Sequence, residues 1–516
     1  MAFFFLALSS YIYYMHISKI APFKDNQIVF LLGILAFGLF LRFFMLSNQS
    51  LWFDEGVTLK LSNNLNLFDN ITHFLALTKG DRFQPLYYWL MPYWRFLFGD
   101  SEFALRSLSA LLGSATVILL SLTALRLYGK TYALWVALIA TFSAFGVFYS
   151  QDARPYALLI FIATLQLYFF SSALCAKHDL ISRWGFWITT MFGLFGSVLI
   201  GIFAAALSFS HFIIYRDWKN WLRWWIPAAL FALPAVLFYF SSELSTNPTG
   251  VATTRYGFPL FQNLLFVLYG IAVGQTYGPS INSLHTHERW QVVTNFLPEL
   301  LILLIVGTVI TVCLLKRLAN QPEKPAYDWF FASLFLSSLG LAILFAVVTK
   351  INWLPRHSFY LWIPFILLLP SISRLSAKTG FWAKGALVML IVLNIYALSN
   401  HFWKDAYRKD DFRAVAQYIN AHPEIASVTV WGSQHLLAYY GDNKTLGASR
   451  VSGEHIALKI NQLTASAPTV LVIVNNEFYW QKREKTTVKK ALRKLYTLDS
   501  QVSFPNFTIY RFDLKQ

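Results

Sequence analysis

The feature that most limits what this chain can become is a series of apolar runs, each near the ~20 residues needed to cross about 30 Å of hydrocarbon. They are Gln27–Leu46, Ser107–Leu125, Tyr132–Ser150, Pro155–Leu174, Gly185–Tyr215, Trp225–Phe240, Pro298–Leu315, Asp328–Val348, Ser358–Ser373 and Phe381–Leu398. Gly185–Tyr215 is free of charge but has Arg183 and Arg216 at its ends. Basic residues at both ends require an even number of crossings, so two short helices are expected to meet near Gly201. The fold expected is mainly α: a polytopic membrane helical bundle of about eleven spans.

Composition agrees. The chain is 516 residues long, 56% hydrophobic and only 13% charged. Soluble domains carry about 25% charged residues. The net charge of +17 is dispersed in the turns rather than gathered in one patch, which argues against nucleic acid as a partner. Lys24, Arg126, Lys130, Lys177, Arg216, Lys316 and Arg374 mark alternate turns as cytoplasmic, the positive-inside pattern. That places Asp54, Arg154, Arg356 and the tail on the outer face of the inner (plasma) membrane. Met1–Ile20 lacks a basic start and a cleavage site, and makes a poor signal peptide.

The expected transmembrane domain spans 1–403, with outer loops at 48–106 and 241–297. Within the first loop, Leu86–Phe98 is aromatic and amphipathic, suiting a helix at headgroup depth. From 404 to 516 the composition becomes that of a soluble domain. Asp410–Ala421, Ser433–Tyr440, His455–Leu463 and Lys489–Tyr496 read as helices, and Ser427–Trp431, Thr469–Val474 and Phe507–Phe512 as strands. This predicts a small extracytoplasmic α/β layer domain. It has no glycine-rich phosphate loop.

The chemistry is concentrated where the first span ends. Asp54 and Glu55 stand together beside hydrocarbon, where a carboxylate is costly and marks a functional candidate. A carboxylate there suits a general base. Arg82, Arg154, Lys350 and Arg356 fall at membrane exits on the same face, and a guanidinium there suits a lipid phosphate. Together they describe group transfer from a lipid-linked phosphate. Asp54, Glu55, His73, Asp152 and the His285–His287 pair all lie outside, so a divalent metal is possible. His285–Glu288 reads first as a solvated turn, and no metal ligand is assigned. Cys175 and Cys313 fall in or beside apolar runs and supply neither a disulfide framework nor a thiolate metal site.

Four segments occur in order: Trp52–Phe53–Asp54–Glu55, Gln84–Pro85–Leu86–Tyr87–Tyr88–Trp89, Phe98 through Arg106, and Tyr149 through Tyr156. Weaker echoes follow at Pro355–Tyr360 and Asp411–Ile419. This set resembles the bacterial branch of the GT-C glycosyltransferases, family-39-like relatives of protein O-mannosyltransferases and of the lipid A aminoarabinose transferase. The resemblance implies a sugar moved from a polyprenyl-phosphate donor to a lipid, glycan or protein acceptor, with inversion. It implies Asp54 as general base, Glu55 as supporting acid, and Arg154 and Arg356 on the donor phosphate. The matched segments also bring Tyr87, Asp152, Tyr156 and His357 into the expected substrate-binding set. Relatives show His-Pro-Pro or Lys-Pro-Pro where this chain has Phe83–Gln84–Pro85. Either Arg82 replaces that basic residue or the contact is absent.

Two other readings compete: a transporter or flippase of a lipid-linked intermediate, and a membrane scaffold. A transporter is expected to show midplane charges and inverted repeats. The spans here are nearly free of charge. A scaffold leaves the carboxylate pair without a role. The topology predicts that a reporter fused after Gln516 reads extracytoplasmic and one fused at Lys130 reads cytoplasmic; both on one side would reject it.

Overall fold

The computed structural model describes residues 25–76, 83–175, 179–245, 260–280, 283–284, 289–320, 327–349, 353–430, 434–441, 446–448, 469–475 and 496–515. Expectations for Met1–Ile20, Arg82, Lys350, His285–His287, the helix at 455–463 and nearly all of the helix at 489–496 lie outside the described residues.

Each expected apolar run is helical. Glu102–Tyr128, Tyr156–Leu174, Trp218–Ser241, Leu297–Ala319, Tyr327–Thr349 and Thr379–Trp403 are each long and apolar enough to cross a membrane. Lys130–Phe142 and Ala144–Ser150 make a seventh if taken as one span bent by 56°. The remaining expected crossings fall on shorter helices, Gln27–Phe43, Leu180–Gly196, Leu199–Tyr215 and the Phe359–Arg374 segment. The break in the charge-free segment comes at Ser197, earlier than Gly201. There the Ser197 Oγ accepts from Leu199 N–H at 3.2 Å and starts the second helix.

Tyr156–Leu174 is buried along its whole length, so the bundle is built around it. Leu230, Leu237, Leu304, Ile305, Leu336 and Leu344 are exposed on the outside. An apolar exterior around a buried apolar core is what a bilayer, not water, permits. The chain is a multi-pass membrane protein.

The 56° bend has a local cause. Ser143 leaves the helical path, and its Oγ caps the second segment on Gly146 N–H at 3.2 Å. This frees the Ala140 carbonyl and the Ala144 N–H, neither of which can be left bare in a membrane. Arg42 Nη2 donates to the first at 3.2 Å, and Asn394 Oδ1 accepts from the second at 2.9 Å. Asn394 Nδ2 also donates to the Ala272 carbonyl at 2.9 Å. The last long helix thereby ties the bend to the loop at 241–297. In that loop the helix Leu260–Val273 lies beside the short turn Pro355–His357. Gly270 permits the approach, because a Cβ there would stand 2.8 Å from Pro355.

Beyond the helix Ala377–Trp403 the described residues of the chain form a five-stranded sheet. Its strands are β1 (Ala426–Val430), β2 (Leu446–Ala448), β3 (Thr469–Asn475), β4 (Tyr496–Phe504) and β5 (Phe507–Leu514), in the order β2-β1-β3-β5-β4. β1 is parallel to β2 and β3, whereas β5 is antiparallel to β3 and β4. The helix Phe412–Asn420 buries Phe412, Val415, Ala416 and Ile419. β2 and β4 were not expected. β4 is a largely exposed edge strand with a register shift between Leu498 and Ser500, so it carries little alternation to read. It joins β5 through Pro505–Asn506, with Asn506 at φ 60, a conformation Asn tolerates better than most residues.

The bend yields a stability prediction. Asn394→Leu strands the Ala144 N–H and the Ala272 carbonyl, at roughly 1–3 kcal/mol for each buried group left bare. Thermal unfolding in detergent should fall clearly below wild type; an unchanged transition would show that Asn394 does not hold the bend.

Candidate active site

The first span ends at Phe43, and the next residues wrap around one side chain, Arg106, in the first turns of the helix Glu102–Tyr128. Arg106 Nη1 donates to the Leu46 carbonyl at 2.9 Å and the Gln49 carbonyl at 2.7 Å. Nη2 donates to the Ser50 carbonyl at 2.9 Å and Glu55 Oε2 at 2.6 Å, and Nε donates to Glu55 Oε1 at 2.7 Å. All five guanidinium donors are used. Both partners are buried, with Arg106 at 2% and Glu55 at 1% exposure.

Glu55 lies in the first turn of the helix Phe53–Leu61. Its carboxylate also accepts from Trp52 N–H at 3.2 Å and Ala153 N–H at 2.9 Å. Lys409 Nζ lies 3.5 Å from Glu55 Oε1. Burial works to raise the Glu55 pKa, but Arg106 and Lys409, with the hydrogen bonds, overcome it and hold it at about 2. Glu55 is therefore a fixed anion enclosed by donors. That arrangement favours an anchoring role for Glu55 over the supporting acid that the resemblance implies.

Asp152 lies in the buried turn between Ala144–Ser150 and Tyr156–Leu174. Its Oδ1 accepts from Trp52 Nε1 at 2.7 Å and from Lys409 Nζ at 3.2 Å. Its Oδ2 is buried without a hydrogen-bond partner among the described residues. Burial raises the Asp152 pKa, and the nearby Glu55 carboxylate adds to the rise against the pull of Lys409 and Arg154.

Asp54 differs from both. Its side chain keeps 23% of its exposure, and its Oδ2 accepts from Arg356 Nη1 at 3.2 Å. Arg356 is one-third exposed and comes from the turn that Gly270 supports. Arg154 Nη1 reaches the Asp54 backbone carbonyl at 3.2 Å and the Tyr88 hydroxyl at 2.6 Å. The Arg154 guanidinium lies 5.9 Å from the ring centres of both Tyr88 and Tyr156. Burial, with Arg356 and Arg154 nearby, pushes the His357 imidazole down to about 3, so it is neutral at ordinary pH.

The structure thus gathers Asp54, Glu55, Asp152, Arg154, Tyr156 and Arg356, with His357 adjoining. Tyr87 is not among them. It is fully buried, and its hydroxyl lies 3.1 Å from Ser109 Oγ. Consecutive helical residues point about 100° apart, and Tyr88 is the one that meets Arg154. Arg106, Lys409 and Trp52 went unrecognised as site residues. Arg106 closes a quoted segment and carried that signal; Lys409, from the tail, had none. No group of three or more His, Cys, Asp or Glu able to hold a metal occurs among the described residues.

An apolar cavity of about 550 Å³ opens at this end of the bundle, lined by Ile71, Trp89, Phe195, Leu237 and Phe238 among others. Its Trp89 adjoins Tyr88 on the helix Pro85–Phe98.

Residues 83–244 match the family described as dolichyl-phosphate-mannose-protein mannosyltransferase. No match is found among curated protein sequences. Among solved structures, the chain is similar to the archaeal oligosaccharyltransferase AglB from Archaeoglobus fulgidus in complex with an inhibitory peptide and a dolichol-phosphate. That match has 13% identity and a TM-score of 0.50, and covers 94% of this chain and 74% of that one. It is also similar to ArnT from Cupriavidus metallidurans in the apo state, at 14% identity and TM-score 0.48, covering 94% of this chain and 98% of that one. The same protein bound to undecaprenyl phosphate gives 12% and 0.46, with 95% and 98% covered. At these identities the likeness is one of fold.

The buried pair predicts a pH signature. Glu55→Gln leaves Arg106 uncompensated, a change that typically costs about 3–5 kcal/mol, read as a lowered unfolding temperature. The Glu55 pKa falls on folding, from 4.5 to about 2. The advantage of wild type over the variant should therefore be full above pH 4.5 and fade as pH falls toward 2. An advantage independent of pH across that window would contradict the pairing.

Proposed function

We propose that this chain, a multi-pass membrane protein with the GT-C fold, is a glycosyltransferase that moves a sugar from a polyprenyl-phosphate donor to an acceptor on the outer face of the membrane, with inversion. The observation that carries this reading is the division of labour between adjacent carboxylates. Glu55 is sealed by donors, while Asp54 stays partly exposed and opposite one cation, Arg356.

In this reading Asp54 accepts the proton of the acceptor nucleophile as its oxygen or nitrogen bonds to the anomeric carbon. The bond from that carbon to the phosphate oxygen breaks on the opposite face, and polyprenyl phosphate leaves with the electron pair. Arg356 stabilises the charge on the departing phosphate. It can exchange its contact with Asp54 for the phosphate, freeing the carboxylate when donor binds. Arg154 is more deeply buried, and its contacts with the Asp54 carbonyl and Tyr88 suit it to positioning. The apolar cavity beside Trp89 suits the first isoprene units. Two further facts support a polyprenyl donor: AglB was solved with a dolichol-phosphate, and the family matched over 83–244 is described by a dolichyl-phosphate sugar. Orientation from the basic turns supports the outer face of the plasma membrane. No cofactor is assigned; a divalent metal remains a proposal for direct test with chelator.

Asp54→Asn keeps the size of the side chain but takes no proton. Transfer should fall about 10²–10⁴-fold, with donor affinity near wild type. Arg356→Ala should weaken donor binding as well as turnover. Well-folded Asp54→Asn with near wild-type turnover would eliminate the base assignment.

A further inference from the structure

The tail does more than follow the bundle. Ser50 Oγ donates to the Asp410 carbonyl at 2.9 Å and accepts from Phe412 N–H at 3.0 Å. Leu51 N–H donates to the Tyr440 hydroxyl at 2.7 Å, and Tyr440 and Arg413 both reach Glu102. Leu436 packs so closely that a Cβ on Gly56 would stand 2.7 Å from it. These contacts press the tail against the residues on both sides of Asp54.

From this docked segment Lys409 enters the bundle. Its side chain is 9% exposed. Its Nζ lies 3.2 Å from Asp152 Oδ1, 3.2 Å from the Gln151 carbonyl and 3.5 Å from Glu55 Oε1. Both carboxylates hold Trp52, Asp152 through the indole N–H and Glu55 through the backbone N–H. Trp52 precedes the helix that begins with Phe53–Asp54.

The count of charges shows what Lys409 does. Glu55 has Arg106 as a bidentate partner, whereas among the described residues the cation within ion-pair distance of Asp152 is Lys409, with Arg154 acting from farther away. An anion buried without a counter-charge is costly. Without Lys409, Asp152 loses its contact cation and keeps the more distant pull of Arg154, which favours taking up a proton or pulling away toward water. Each response loosens the grip on the Trp52 indole, and with it the turn that presents Asp54.

We infer that Lys409 is a positioning residue of the active site: by balancing the buried Asp152–Glu55 pair it locks Trp52, and so makes the C-terminal domain a constitutive part of the catalytic site. This rests on the reading of Asp54 as the base.

The test uses full-length protein in nanodiscs with a polyprenyl-phosphate sugar donor. Lys409→Met, Lys409→Arg, Asp152→Asn and the Lys409→Met/Asp152→Asn pair are compared in thermal unfolding and in transfer. Small misplacements of a reacting group can cost on the order of 10²-fold. Lys409→Met should lose about that much kcat with donor KM unchanged. Lys409→Arg should recover most of it. The double variant should unfold at a higher temperature and turn over faster than Lys409→Met, because the unpaired anion is gone. Should Lys409→Met fail to fold, Lys409→Arg and the double variant still decide the matter.

Near wild-type kcat in folded Lys409→Met would overturn the inference. So would a Lys409→Arg no faster than Lys409→Met, or a double variant no better than the single one in either measurement. If wild type itself moves no sugar, the functional reading fails, while the coupling between positions 409 and 152 in unfolding is judged separately.

Discussion

The carboxylate of Glu55 and the guanidinium of Arg106 meet through two hydrogen bonds of 2.7 and 2.6 Å, both groups out of contact with solvent. Taking two such charges out of water is costly and is offset only when geometry and remaining hydrogen bonds are good. Here they are. Arg106 spends its other donors on the carbonyls of Leu46, Gln49 and Ser50, and Glu55 accepts from the backbone at Trp52 and Ala153. One ion pair thus fixes the exit of the first span, the start of the next helix and the turn carrying Asp152 and Arg154. Asp54 follows from it: neighbouring residues on a helix point about 100° apart, so the turn that buries Glu55 turns Asp54 away toward Arg356.

A second consequence concerns chain order. Residues of the site come from positions 52–55, 88, 106, 152–156, 356 and 409, spread over most of the chain. Short connections alone cannot align such distant parts. The bend at Ser143, the donation from Gln275 Nε2 to Tyr149 OH at 2.9 Å and the close pass of Gly270 by Pro355 bring them to one end. The tail then closes the assembly from the other side through Ser50, Tyr440 and Lys409.

Much of this was legible in the sequence, for physical reasons. Span length and basic turns record the thickness of a bilayer and the cost of crossing it with charge, so the helical runs could be read directly. Asp54 stood out as a candidate because a carboxylate beside hydrocarbon is rare unless it has a use, and it lies partly exposed opposite Arg356. The roles of its neighbours were not legible. Glu55 has the same residue class and an adjacent position, and only the three-dimensional partner, Arg106, separates a buried anchor from the proposed base. Tyr87 and Tyr88 differ by one step of helical rotation, which no composition records. Lys409 sits in a soluble-looking stretch, where a lysine ordinarily faces water. β4 was missed because an exposed edge strand has no apolar alternation to show.

The central claim is that Asp54 and Arg356 serve the transfer of a sugar, not its passage across the membrane. The most direct measurement gives purified protein, reconstituted in vesicles, radiolabelled polyprenyl-phosphate sugars together with membrane extract, and follows the label. The account predicts that label leaves the lipid and appears covalently on an acceptor, with free polyprenyl phosphate released in equal amount. Label that stays on the polyprenyl phosphate, and merely changes leaflet, would contradict it.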